Sequence, residues 1–283
     1  MDRVPLSGDC AVDGTMEASG LVSDLIKLFV GASAQNEDLE AEIVLAFSAR
    51  KYCTLDLDIT FMRQAASGPW SNWASNANGR TPFSAFRWSL PSVCGYKGKA
   101  LYTDVDFVFL SDLTELWNQP IPNVALVRNA TGKLTTSCIL FDCTKAKGHV
   151  PDLDVLRAMP DTHGSMLRYF RAHPQLLTPF AGNWDCPDLK GSSLDDPTLK
   201  AVHFTRISSQ LHLKHAIPRL KAEGRTHWYQ GVIQPHPRPE LQALFDHLLL
   251  EAHAEGYTLD RYRVEPFGGA TRKNFVYANE NRR

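Results

Sequence analysis

The chain has no apolar run long enough to cross a bilayer. Its apolar runs, such as 138–141 and 248–250, are a few residues each, where a spanning helix needs about 20. A basic excess is also missing. Thirty Lys and Arg face 31 Asp and Glu for a formal net charge of −1, so the electrostatic footprint of a nucleic-acid binder is absent. The six cysteines, Cys10, Cys53, Cys94, Cys138, Cys143 and Cys186, contain no C-x-x-C pair. That excludes zinc-ribbon spacing, and their low density excludes a disulfide scaffold, so free thiols are expected. Residues 1–20 carry Asp2, Asp9, Asp13 and Glu17 and lack the apolar segment of a secretory signal, which points to a cytoplasmic protein. Without such a signal the sequon Asn129-Ala130-Thr131 carries no consequence. No repeat or low-complexity tract occurs. What remains is ordinary globular composition, 43% apolar and 22% charged over 283 residues, enough for one large α/β domain or two modest ones.

Patterning begins at residue 26. Ile26 to Val30 reads as a strand that ends in Gly31-Ala32-Ser33. Asn36 is placed to cap a helix with Glu37 and Asp38 in its first turn, Leu39, Ile43, Ala46 and Phe47 at helical spacing, and Arg50 and Lys51 at its end. Residues 55–62 alternate as a second strand, completing a βαβ unit and a parallel pairing. Residues 68–80 form a polar loop, and 82–90 begin a helix with an early proline. Residues 100–110 read as one strand interrupted by two carboxylates; 124–127, 138–141 and 201–204 are further strands. From 211 to 256 the pattern is mostly helical, and after Gly268-Gly269 a tail follows. Within that region His212 and His215 read as surface histidines rather than a metal pair, and Arg219, Lys221 and Arg225 as a solvated basic group. Thr226 to Gly231 is rich in polar aromatics, which stack on sugars or anchor a C-terminal segment.

Asp104-Val105-Asp106 carries the most chemistry. In an extended strand residues two apart share a side, so both carboxylates converge and repel unless a cation joins them. Oxygen ligands suit Mg²⁺ or Mn²⁺, which complete their shell with substrate phosphates and neutralise a departing diphosphate. The apolar flanks, Leu101-Tyr102 and Phe107 to Leu110, set against a solvated face, add a desolvation cost that needs such a partner. A phosphatase of the haloacid-dehalogenase type also uses D-x-D. Its motif continues into Gly and sits in a first strand, whereas Phe107 stands here after at least two strands.

Several segments together resemble glycosyltransferase family 8, the glycogenin and bacterial galactosyltransferase group. They are Arg80-Thr81-Pro82-Phe83-Ser84-Ala85-Phe86-Arg87-Trp88, then Gly98 to Asp106, Leu110 to Trp117, Phe29 to Ser33 with its following helix, and Ala201-Val202-His203-Phe204-Thr205. The resemblance spans roughly residues 24–210. It implies a GT-A nucleotide-sugar fold, a Rossmann-like mixed sheet with helices on both faces, plus a helical C-terminal region. The expected organisation is an extension over 1–22, a nucleotide-sugar-binding catalytic core over 23–210, and a helical region over 211–283 on the acceptor side.

The same resemblance implies Asp104, Asp106 and His203 as ligands of Mn²⁺ or Mg²⁺. It puts Ala32, Ser33 and Val105 against the nucleotide, Ser137 in the donor-sugar segment Thr136-Ser137-Cys138, and Asn183 and Asp185 at the sugar. The cation on the helix before the motif is replaced by Ser84 at its strict position, with Arg87 three residues on, on the same helix face. The family's Asp-Gln pair is not recognisable between 160 and 175, and Ser208-Ser209-Gln210 stands where Lys-Pro-Trp would. The implied activity is retaining transfer of a hexose from a UDP-sugar to a saccharide, lipid or protein acceptor. The alternative is a fold relative that binds nucleotide sugar or a partner without turnover.

Overall fold

The computed structural model of the protein describes residues 25–74, 81, 83–128 and 134–264. The N-terminal extension, the C-terminal tail, the sequon, Pro82 and residues 75–80 of the polar loop lie outside them. Strand β1 (Leu25–Gly31) leads into α1 (Leu39–Tyr52) and β2 (Asp56–Met62), and β2 pairs parallel to β1 as the βαβ pattern requires. The chain then runs through a short 3-10 turn (Phe86–Ser89), α2 (Leu90–Val93), β3 (Lys99–Asp104), β4 (Phe107–Phe109), α3 (Leu113–Trp117), β5 (Ala125–Val127) and β6 (Cys138–Asp142). Helices α4 (Leu153–Ala158) and α5 (Thr162–Ala172) precede β7 (Leu177–Pro179), β8 (Cys186–Pro187) and β9 (Ala201–His203). Helices α6 (Leu213–Ala222), α7 (Pro239–Ala254) and α8 (Leu259–Val264) close the described chain. No described helix is long and apolar enough to cross a membrane.

The strands make a six-stranded mixed sheet, β2-β1-β3-β6-β5-β7, and a three-stranded one, β4-β9-β8. The stretch 100–110 is therefore not one strand. Asp104 ends β3 opposite Gly31, the backbone bends through Val105 and Asp106, and Phe107 starts β4 in the second sheet. The two carboxylates sit where the chain changes sheets, at the carboxyl end of the parallel strands, where open α/β sheets place their ligands. Gly31 is required there. A Cβ would come within 2.6 Å of the Phe83 ring and 2.7 Å of the Tyr102 hydroxyl.

Helix α1 differs from a one-sided amphipathic helix, since every residue from Leu39 to Arg50 is buried. Strand β4 of the second sheet packs against it, as do α6, α7 and α8. Its acidic residues consequently carry buried partners: Arg219 Nε donates to Glu40 Oε1 at 2.7 Å, and Arg63 pairs with Glu42. Asn36 does not cap it. That residue has a left-handed φ of 61°, and Asp38 occupies the N-cap position.

The C-terminal region is two main helices joined by irregular chain over 223–238. Leu241, Phe245, Leu248 and Leu249 of α7 bury into the same core as β1 and α1. His212, expected at the surface, is 2% exposed. The five described cysteines are free thiols.

Candidate metal and nucleotide-sugar site

A cleft of about 600 Å³ opens beyond the ends of β3 and β9. Asp104, Asp106 and His203 line it, and one ligand atom from each lies within 4.8 Å of the other two. Strand pairing produces this convergence: β4 runs antiparallel to β9 with Phe107 opposite His203, so the residue before Phe107 arrives beside the imidazole. The Phe204 backbone N–H donates to the Asp106 carbonyl at 2.9 Å and fixes the bend.

Asp104 is held from two sides. Tyr102, fully buried, donates its hydroxyl to Asp104 Oδ1, and Arg87 Nη2 donates to the same oxygen at 2.7 Å. Burial, then the charges of Asp104 and Asp106, keep the Tyr102 hydroxyl protonated, well above the ordinary phenol range. The Arg87 guanidinium lies 4.6 Å from the Tyr102 ring centroid and is anchored by the Ser84 carbonyl, 2.9 Å from Nε, and the Thr136 carbonyl. Arg87 thus lines the cleft beside the first carboxylate.

Asp106 accepts from Gln210 Nε2 at Oδ2, but its buried Oδ1 has no hydrogen-bond partner. His203 Nε2 stands 3.6 Å from that orphaned oxygen. Burial raises the Asp106 carboxyl well above the usual carboxylate range despite the opposing pull of His203. Burial pulls the His203 imidazole down, but Asp106, with Asp185 and Asp104, outweighs it and holds the ring up. An unpartnered buried carboxylate oxygen leaves a desolvation cost uncompensated. With two carboxylates and one imidazole facing one point, the donor set fits a divalent metal of the Mn²⁺ type.

A second trio, Asp38, His212 and His227, also lies within 4.8 Å and is fully buried. Its hydrogen bonds separate it from the first. The Tyr229 backbone N–H donates to His227 Nδ1 at 3.0 Å, so Nε2 carries the ring proton and donates it to Asp38 Oδ1 at 2.8 Å. Trp228 Nε1 donates to Asp38 Oδ2 at 3.0 Å. This trio is a clasp that fastens 227–228 to the start of α1. In His203 the arrangement is reversed: Nδ1 donates to Asp185 Oδ1 at 2.8 Å, which leaves Nε2 to face the carboxylates.

The other sequence-derived residues fall in distinct places. Ser137 lines the cleft, and its carbonyl accepts from the Asp104 N–H at 2.9 Å. Val105 is buried in the bend between the sheets. Ala32 and Ser33 are buried and do not line the cleft; Ser33 Oγ accepts from the Glu37 and Asp38 N–H groups. Asn183 pairs through its backbone with 198–201 and also lies off the cleft. Asp185 is fully buried behind His203. No described residue beyond Gln210 lines the cleft. Sequence reasoning missed Tyr102, Gln210 and His163. Gln210 reaches Asp106 and His163 reaches Trp88 from distant segments, whereas Tyr102 reaches Asp104 two residues along its own strand, where the sequence reads it only as an apolar flank.

No sequence-family profile and no curated protein matches the chain. Among solved structures it is similar to the apo WbbM bifunctional glycosyltransferase, with a TM-score of 0.50 and 11% identity over 64% of this chain and 46% of that one. It is similar also to an active-site mutant of LgtC, with a TM-score of 0.50 and 11% identity over 84% of this chain and 99% of that one. The chain thus spans less than half of the WbbM chain. Its fold is the GT-A fold.

Proposed function

We propose that the protein is a metal-dependent glycosyltransferase that takes a hexose from a UDP-sugar, with retention of configuration, and passes it to a saccharide, lipid or protein acceptor. The observation that carries this reading is the convergence of Asp104 Oδ, the orphaned Asp106 Oδ1 and His203 Nε2 at the cleft of a GT-A fold. Mn²⁺ or Mg²⁺ held there would neutralise the charge that builds on a departing diphosphate.

The chain's own residues supply the remainder. Arg87 presents a buried guanidinium beside Asp104, placed to donate to diphosphate oxygens. Thr135, Thr136 and Ser137 give the neighbouring wall hydroxyls and backbone carbonyls for sugar hydroxyls. Leu134, Leu167 and Ile207 reduce the water around the reacting bond.

Calorimetry with UDP in Mn²⁺ and in EDTA, beside a hydrolysis screen over a panel of donor sugars, tests the reading. Mn²⁺-dependent UDP binding with slow hydrolysis of one donor is expected. Equal UDP affinity in EDTA would remove the metal assignment, and binding with no hydrolysis of any donor would favour a non-catalytic relative.

A further inference from the structure

We infer that Asp185 is the positioning residue of the metal site: it holds a His203 ring proton on Nδ1, so that Nε2 is the nitrogen turned toward Asp104 and Asp106. The inference rests on the metal reading above. Asp185 is fully buried and lines no part of the cleft, so it has no direct access to a sugar or diphosphate. Its Oδ1 accepts from His203 Nδ1 at 2.8 Å. Its Oδ2 accepts from Thr135 Oγ1 at 2.9 Å, and Arg128 Nε lies 3.4 Å away. Every group around the carboxylate is therefore a donor. A carboxylate is acceptor-only and satisfies all of them, whereas an amide does not.

Two further contacts set the ring plane that Asp185 addresses. Phe107 stacks on the imidazole with centroids 4.5 Å apart, and β9 places Val202 and His203 beside Cys186 and Pro187 of β8. Asp185, immediately before β8, is delivered to the ring by that pairing. Outer carboxylates of this kind fix the tautomer of a ligating histidine and raise its basicity.

The test uses Asp185→Asn, His203→Ala and the double variant, with Mn²⁺ alone as probe, its free concentration read by electron paramagnetic resonance. The amide either turns its NH₂ to His203, which drives the proton to Nε2, or leaves Thr135 and Arg128 facing a donor. Asp185→Asn should weaken Mn²⁺ binding roughly 10- to 100-fold. Added to His203→Ala, it should change the affinity by less than about twofold, because it acts through that ring. Wild-type affinity in Asp185→Asn, with His203→Ala weakened, overturns the inference and leaves the metal site standing. Multiplying effects in the double variant also overturn it, by showing general damage. Unchanged Mn²⁺ affinity in His203→Ala removes the metal reading itself. If Asp185→Asn does not fold, nitrogen NMR of the Cd²⁺-loaded wild type decides. Protonation at Nδ1 and ligation through Nε2 is expected, and the opposite pattern overturns the proposal.

Discussion

Phe107 lies flat against His203, with ring planes 13° apart, and the two residues face each other across the β4–β9 pairing. The stack ties the geometry of the imidazole to the first residue of the second sheet. The same residue fixes where Asp106 emerges from the bend.

Replacing Phe107 by Leu should therefore act on both stability and metal. Loss of the ring stack and part of a fully packed side chain should cost about 1–2 kcal/mol in denaturant unfolding. Mn²⁺ affinity should fall as well, since the imidazole loses one wall. A variant that is destabilised yet binds Mn²⁺ as the wild type does would show that Asp185 and the backbone alone hold the ring.

The carboxylate pair was legible because the apolar flanks of Asp104 and Asp106 make a solvated face implausible, and His203 only through the family resemblance of residues 201–205. Their geometry was not legible. Alternation along one strand assigns both carboxylates to one side, but the chain bends between them and changes sheets. The β1–α1–β2 unit was readable because its periodicity is local. The full burial of α1 was not, since it depends on α7, some 200 residues later. The two-residue β8 has no pattern of its own and exists through β9, so the delivery of Asp185 to His203 had no signature in the sequence.

Asp106→Asn should separate a metal role from a structural one. Burial makes the wild-type charge costly, so removing it should leave the melting temperature in EDTA unchanged or higher. Mn²⁺ at 100 times its Kd should stabilise the wild type by about 2.7 kcal/mol and the variant by less. Donor hydrolysis should fall on the order of a thousandfold. A variant that melts lower in EDTA and hydrolyses donor at the wild-type rate would end the metal-site reading.

Arg87→Gln breaks a buried pair with Asp104. Such breaks cost about 3–5 kcal/mol when both partners are fully buried. Asp104 keeps 15% of its side-chain exposure, so the lower end is expected in EDTA. A divalent cation replaces part of the missing charge, so the loss should shrink in Mn²⁺. Equal destabilisation in both buffers would place the role of Arg87 in its bonds to the Thr136 and Ser84 carbonyls instead.

His227→Phe tests the clasp on α1. Removing one donor from buried Asp38 should cost about 1–3 kcal/mol. Mn²⁺ affinity should stay at the wild-type value, because the proton on His227 Nε2 disqualifies that nitrogen as a ligand. Weakened Mn²⁺ binding in a folded His227→Phe protein would make this trio a second metal site.

His163 gives the pH dependence. Its Nδ1 accepts from Trp88 Nε1 at 3.2 Å, so the folded ring is neutral, and protonation would set one N–H against another. Burial, with the charge of Arg87 adding to it, depresses the pKa from 6.5 to about 3. Between those values the unfolded chain binds the extra proton, so folding stability rises with pH across this window. The contribution is complete above 6.5 and is lost progressively on acidification toward 3. Going from pH 7 to pH 5, this residue should remove on the order of 1–2 kcal/mol from the unfolding free energy, a partly solvated ring delivering less than the full linkage. His163→Asn keeps an acceptor for Trp88 and has no proton to bind, so its stability should fall less than that of the wild type over the same interval. Urea unfolding of both proteins at pH 5, 6 and 7 measures the difference. Parallel pH profiles would show that His163 is already protonated in the folded protein at pH 5, and the Trp88 bond would then need the opposite donor.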